Sequence, residues 1–172
     1  MKNVWIGESP HTPLGTIWVS VSENGLVAVE IQSDQEAFIH RLQRLGFQQA
    51  VLDQERVKEP LGQVVEYLEG KRRNFELLID WSVMRPFQEQ ALRATLDIPY
   101  GETSTYGAIA RQIGKPQAAR AVGRAEATNP MPLVIPCHRV LGADGGLHGY
   151  GAPGGLDTKA WLLRLEEENI VK

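Results

Sequence analysis

The chain contains one cysteine, Cys137, and a histidine, His138, follows it directly. The thiolate is the nucleophile, and an ordinary thiol with a pKa of about 8.5 is mostly protonated at neutral pH. A neighbouring base that removes the proton, directly or through water, is the simplest activator. An imidazole in that role needs a carboxylate to orient it and support its charge. Asp157, Glu166, Glu167 and Glu168 follow a glycine-rich stretch and are the candidates. Adjacent residues on a strand point to opposite faces, so the pair needs a bend at Pro136 or a bridging water to cooperate. The same two residues also fit an inert buried cysteine beside a surface histidine.

Other chemistries are less well supported. One cysteine excludes an internal disulfide, a two-cysteine redox pair and a cysteine-rich zinc site. His11, His40, His138 and His148 show no metal-ligand spacing. Gly149-Tyr-Gly-Ala-Pro-Gly154 has the glycine spacing of a dinucleotide loop. No clear strand precedes it, Pro153 interrupts it, and the sequence ends before the acid expected about 20 residues later. Neither a metal nor a cofactor is expected.

The elements that must position Cys137 divide the chain in two. In a protein of 172 residues, 42% hydrophobic, there is enough chain for a real core. No apolar run is long enough for a membrane span, and no secretory signal is read at the start. The expectation is an intracellular, reduced protein, cytoplasmic if prokaryotic and nuclear if eukaryotic. Residues 15–22 and 26–32 alternate around Glu23-Asn24-Gly25 and predict a hairpin. Helical spacing covers 34–45 and 54–69, and 77–79 suits one more strand. Trp5 and Trp18 are expected in the core. Residues 1–80 thus read as a small α/β lobe without a catalytic constellation.

The texture changes near Trp81–Pro86. Helices are predicted over 87–97, over about 104–113 with Thr103 or Ser104 as cap, and over about 116–127 with Pro116 in the first turn. The last two, joined through Gly114, outline a helix-turn-helix. Arg111, Lys115, Arg120, Arg124 and Arg139 face Glu126 alone between 103 and 141, in a chain of net charge −3. A locally basic segment therefore surrounds the cysteine, although such a run also suits a solvated helix face. Residues 141–155 form a glycine-rich loop, and Asp157 is expected to cap a last helix ending near Glu168.

The run Ile135-Pro-Cys-His-Arg-Val140 resembles the active-site signature of the O6-alkylguanine-DNA alkyltransferases. Pro86-Phe-Gln88, Ile98–Thr103, Tyr106-Gly107, Ile109-Ala110, Ala119–Gly123, Asn129-Pro130, Gly149-Tyr150, Gly154–Leu156, Lys159 and Trp161–Leu163 are similar to that family in order and spacing. The resemblance covers about 86–166. It implies an α+β protein, with an N-terminal ribonuclease-H-like α/β lobe (1–80) ahead of a helical catalytic and DNA-binding lobe (86–172).

The resemblance also implies roles. Cys137 accepts the alkyl group from O6-alkylguanine in DNA, once and irreversibly, without a cofactor; O4-alkylthymine is a second candidate substrate. His138 deprotonates Cys137 through water, and Glu166 completes the relay. Asn129 braces the active-site turn. Tyr106 assists nucleotide rotation and binds the target base, and Arg120 fills the vacated gap. Ala119, Ala121 and Gly123 join Arg120 and Tyr106 in contacting double-stranded DNA. A monomer is implied. Leu92 stands where many members carry Trp, Gly151 where some carry Ser, and Glu126 puts a negative charge on the DNA-binding helix. Three rival readings use the same residues: a lesion sensor that binds without transfer, a cysteine hydrolase, and a transcription regulator.

Overall fold

The first strand, β1 (Asn3–Glu8), lies inside a four-stranded sheet ordered β3-β2-β1-β4. The predicted hairpin is β2 (Ile17–Ser22) with β3 (Gly25–Ile31), antiparallel, with Val19 opposite Val29. Helix α1 (Gln35–Arg44) starts at Asp34, whose carboxylate accepts from the Ala37 N–H, and leads to β4 (Gln49–Leu52), parallel to β1. Helix α2 (Lys58–Leu68) follows. The protein is described by a computed structural model over residues 2–170.

Strand alternation assigns the two faces of the sheet. Val4, Ile6, Trp18 and Ala28 pack with Phe38 and Leu42 of α1. Gly7 points the other way, so close to Val57 at the start of α2 that a Cβ would collide. The sheet is therefore covered on both faces. Trp18 is in the core as expected, whereas Trp5 is half-buried under the Arg56 guanidinium, 3.6 Å from the ring centroid. The strand expected over 77–79 reduces to a single bridge between Ile79 and Leu26.

The chain separates between Val83 and Met84. In the second unit, α3 (Pro86–Leu96) opens with proline at its first position, where the missing N–H costs nothing. Helices α4 (Tyr106–Gln112) and α5 (Ala119–Ala127) form the helix-turn-helix. Both begin later than the sequence suggested. Thr105, not Thr103 or Ser104, caps α4 by accepting from the Ala108 N–H, because Ser104 and Thr105 are held extended as β5. Pro116 lies in the connecting turn, and Ala118 precedes the first turn of α5. Ala91, Ala94, Ile109, Ala110, Val122 and Ala125 close a core between the three helices.

Cys137–Arg139 is a single 3-10 turn, which removes the strand problem of two adjacent side chains facing apart. Val140–Leu141 (β6) then pairs in parallel with β5, Ser104 opposite Val140 and Thr105 opposite Leu141. This two-residue ladder ties the start of α4 to the cysteine turn. Helix α6 (Gly155–Ile170) ends the described chain. Asp157 sits within its first turn rather than capping it, since helical geometry already begins at Gly155. No helix among the described residues is long and apolar enough to cross a membrane.

Thr105 both caps α4 and anchors the ladder. Thr105→Ala should destabilise this unit by about 1 kcal/mol, the usual value of a lost cap, while Ser104→Ala, which removes no cap, should cost less. Chemical denaturation of both variants checks the order.

Candidate active site

The cysteine turn is held from outside by Asn129, just beyond the end of α5. Its side-chain amide donates to the Ile135 carbonyl at 2.9 Å, and its carbonyl accepts from the Met131 N–H at 3.0 Å. Between them Leu133 adopts a left-handed φ of 76°. The Cys137 N–H donates back to the Ile135 carbonyl at 2.8 Å. Cys137, His138 and Arg139 are all buried.

Glu166 is the carboxylate of this site; Asp157, Glu167 and Glu168 are exposed. Glu166 projects from α6 with no solvent exposure, and its Oε1 lies 2.7 Å from His138 Nε2. Arg139 grips the same group, with Nε at 3.0 Å from Oε2 and a terminal nitrogen at 2.8 Å from Oε1. The Gly101 N–H donates to Oε2 at 3.1 Å. Arg139 also donates to the Ile98 carbonyl at 2.6 Å. Burial alone would push the Glu166 pKa up, but these donors hold it down at about 2.

His138 is shifted down as well. Burial lowers its pKa below the ordinary value despite Glu166, and the charges of Arg139 and Lys159 act in the same sense. The imidazole is therefore neutral at pH 7. With Nε2 donating its proton to Glu166, Nδ1 is the ring atom that can accept one. Burial and the nearby Glu126 raise the Cys137 pKa to about 12, against smaller opposing effects of Asn129 and Lys159. The resting group is a thiol, and a proton acceptor is required before it can attack.

A cavity of about 150 Å³ opens over the cysteine, lined by Tyr106, Gly123, Glu126, Ala127, Cys137, Gly149, Tyr150 and Gly151. Tyr106 rises from the first position of α4 over Gly123 of α5, where a Cβ would already touch its ring. Gly151 approaches the end of α5 so closely that a Cβ would lie 2.5 Å from the Ala127 carbonyl. A serine there requires a different loop path. Lys159, fully buried on α6, donates to the carbonyls of Val140, Leu147 and Gly149 at 2.7, 2.6 and 3.0 Å, fixing the loop that forms the far wall.

Cys137, His138, Glu166, Asn129 and Tyr106 are thus brought together. Arg120 is not in the cavity. It is exposed on α5, while Ala119 and Ala121 are half-buried on the same helix. Arg111, Arg120 and Arg124 are exposed and form no ion pair among the described residues. Glu126, expected near the outer face, points inward and is 6% exposed.

Known proteins similar to this chain identify its family. Residues 86–168 match the family described as 6-O-methylguanine DNA methyltransferase, DNA binding domain, and residues 8–81 match its ribonuclease-like domain. A methylated-DNA–protein-cysteine methyltransferase of Methanosarcina barkeri is 39% identical over 93% of this chain and 96% of its own length. The chain belongs to the methylated-DNA–protein-cysteine methyltransferase family. The inducible member from Bacillus subtilis is 38% identical over 87% of this chain and 83% of its own. The Mycobacterium tuberculosis OGT, crystallised in complex with DNA, superposes with a TM-score of 0.78 at 34% identity, covering 97% of this chain and 94% of that one. The fold is accordingly the family's α+β pair, a ribonuclease-like unit followed by a helical unit with a helix-turn-helix.

Three contributors were not identifiable from residue type and spacing. Arg139 looked like part of a basic run, Lys159 like an ordinary helix residue, and Glu126 like a surface acid. For Glu126 a signal existed: it follows Val122 by four positions on the buried stripe of α5.

The low Glu166 pKa has a consequence for stability. A depressed carboxylate contributes stability that is complete above its unfolded value, near 4.5, and is lost as pH falls through about 2. Wild type should exceed Glu166→Gln in melting temperature at pH 6, and the gap should narrow steadily from pH 4.5 towards 2. A gap independent of pH would show that the carboxylate is not ionised in the fold.

Proposed function

We propose that this protein repairs DNA by direct reversal, moving the alkyl group of O6-alkylguanine onto Cys137 in one irreversible step. The observation that carries this reading is the buried Glu166–His138 pair beside the family's acceptor cysteine, at 2.7 Å. His138 Nδ1 takes the thiol proton through water, and Glu166 balances the imidazolium that results. The sulfur forms a bond to the alkyl carbon while the bond from that carbon to O6 breaks. The electron pair goes to the guanine, which is protonated as it leaves. The thioether has no leaving path, so each molecule acts once. O4-alkylthymine presents the same kind of alkyl carbon and belongs to the same proposal.

DNA engagement follows from the exposed face of the helix-turn-helix. Arg111, Arg120 and Arg124 offer charge to phosphates without reading sequence. A buried thiol cannot reach a base inside a duplex, so the nucleotide must be rotated out. Tyr106, at the cavity mouth between α4 and α5, is the side chain assigned to that rotation and to the base. Arg120 occupies the gap, and Ala119, Ala121 and Gly123 keep the helix thin enough to approach the backbone. Asn129 holds the turn. In this reading residues 86–172 form the catalytic and DNA-binding lobe, residues 1–80 are separate from it, and the protein is a cytoplasmic monomer.

Intact-mass measurement after incubation with O6-methylguanine DNA tests the assignment. One methyl group should be found on Cys137, with none on Cys137→Ser, which should still bind DNA. Hydrolytic turnover of an ester or amide would instead favour a cysteine hydrolase.

Arg120→Ala should slow transfer from duplex DNA more than transfer from free O6-benzylguanine. Rotating a nucleotide out of the stack costs a few kcal/mol, and a side chain that fills the gap offsets part of that cost. The free base carries no such barrier. Equal losses in second-order rate on both substrates would leave Arg120 as scaffold.

A further inference from the structure

Glu126 has no part in the proton relay, yet it lines the cavity that contains the acceptor cysteine. Its Oε1 is hydrogen-bonded with Thr95 Oγ1, and that hydroxyl also lies 3.0 Å from the Ala91 carbonyl. A hydroxyl carries one proton, and a carbonyl oxygen can only accept. When Thr95 donates to Ala91, the proton between Thr95 and Glu126 must come from the carboxyl group. The run from Glu126 through Thr95 to Ala91 is fully satisfied only with Glu126 as a neutral acid.

The surroundings favour the same state. Tyr106 faces Glu126 from α4, Cys137 from the 3-10 turn and Lys159 from α6. Lys159, the one cation of the three, points its donors at three carbonyls. Burial pushes the Glu126 pKa up to about 8. Its second oxygen, Oε2, is buried without a hydrogen-bond partner, and so is Tyr150 Oη, which belongs to another residue of the same cavity. Unsatisfied buried polar atoms are costly. Two of them around one small cavity match a ligand that brings its own hydroxyl.

We propose that Glu126 is a specificity-determining residue of the alkyl-accepting cavity, its Oε2 accepting a hydrogen bond from a hydroxyl carried by the alkyl group. The substrate class is an O6-(2-hydroxyalkyl)guanine, favoured over the plain alkyl adduct of equal length. This rests on the alkyl-transfer function proposed above. In that displacement the attacked carbon lies on the line between Cys137 Sγ and O6. Any further chain must extend sideways, towards the walls made by Glu126 and Tyr150. Gly123, Ala127, Gly149 and Gly151 are the small residues that leave room there. The adduct's hydroxyl keeps its proton throughout and remains on the thioether.

The test compares oligonucleotides carrying O6-methylguanine, O6-(2-hydroxyethyl)guanine and O6-n-propylguanine; the last two have the same number of heavy atoms. Second-order transfer rates are measured at pH 7 for wild type, Glu126→Met and Glu126→Gln. Taking hydroxyethyl over propyl on each variant cancels any change in thiol activation or folded fraction. The ratio should be about tenfold higher in wild type than in Glu126→Met, the value of one added hydrogen bond. Glu126→Gln, which keeps an acceptor, should retain most of it. An equal ratio in wild type and Glu126→Met overturns the proposal. So does a wild type that does not prefer hydroxyethyl, which needs no variant to fold. Absence of methyl transfer would overturn the underlying function as well, and is distinguished by the O6-methylguanine arm.

Discussion

A carboxylate with no solvent contact governs the catalytic unit. Moving an ion out of water costs several kcal/mol, and breaking a buried pair exposes that cost in full. Glu166 is compensated by the Arg139 fork, the His138 ring and the Gly101 N–H. These come from two segments, the loop before β5 and the 3-10 turn, and Glu166 itself comes from α6. Each segment is therefore held in place by the same charge. Arg139 extends the network to the Ile98 carbonyl at the end of α3. The geometry that the chemistry requires is thus the geometry that makes the burial of Glu166 tolerable.

Two buried glutamates in one unit are driven to opposite protonation states, and the difference lies in their partners. Glu166 meets an arginine, an imidazole and a backbone N–H, and stays ionised. Glu126 meets a threonine hydroxyl rather than a cation fork, and burial, which raises its pKa to about 8, favours the acid. Such divergence separates the roles of chemically identical groups. An ionised acid next to His138 supports a base. A carboxyl group next to Cys137 opposes thiolate formation only once it is ionised. The resting group, with its pKa raised to about 12, is a thiol and needs a base before it can attack.

Much of this was legible in the sequence because short-range rules decide it. The hairpin around Glu23–Gly25, helices α1, α2 and α3, and the break at Asn129-Pro130 follow from periodicity and turn chemistry. The Cys137–His138 pair followed from adjacency, and the choice of Glu166 from the family resemblance. Tertiary pairing decides the rest. Strands β1 and β4 were not expected, because a six-residue central strand and an exposed four-residue edge carry little alternation by themselves. Helix α4 starts later than expected because β5 pairs with β6, some 36 positions away. Glu126 is buried because its position on the inner stripe of α5 outweighs its charge.

Under the proposed function, helix α5 is one short element that serves both the duplex and the cavity. Its nine residues place Arg120 and Arg124 outward, Val122 and Ala125 in the core, and Gly123, Glu126 and Ala127 around the cysteine cavity. At 1.5 Å per residue, Arg120 and Glu126 are separated by only about 9 Å along the axis. The helix is braced on its inner side by packing against α3 and α4, and just beyond its end by Asn129. A phosphate backbone held against the outer side is thereby set at a fixed distance from Cys137. Under the proposed function, the nucleotide leaves the stack to reach the thiol. The protein contributes the cavity over Cys137, and His138, next to Cys137 in the chain, is already hydrogen-bonded to Glu166.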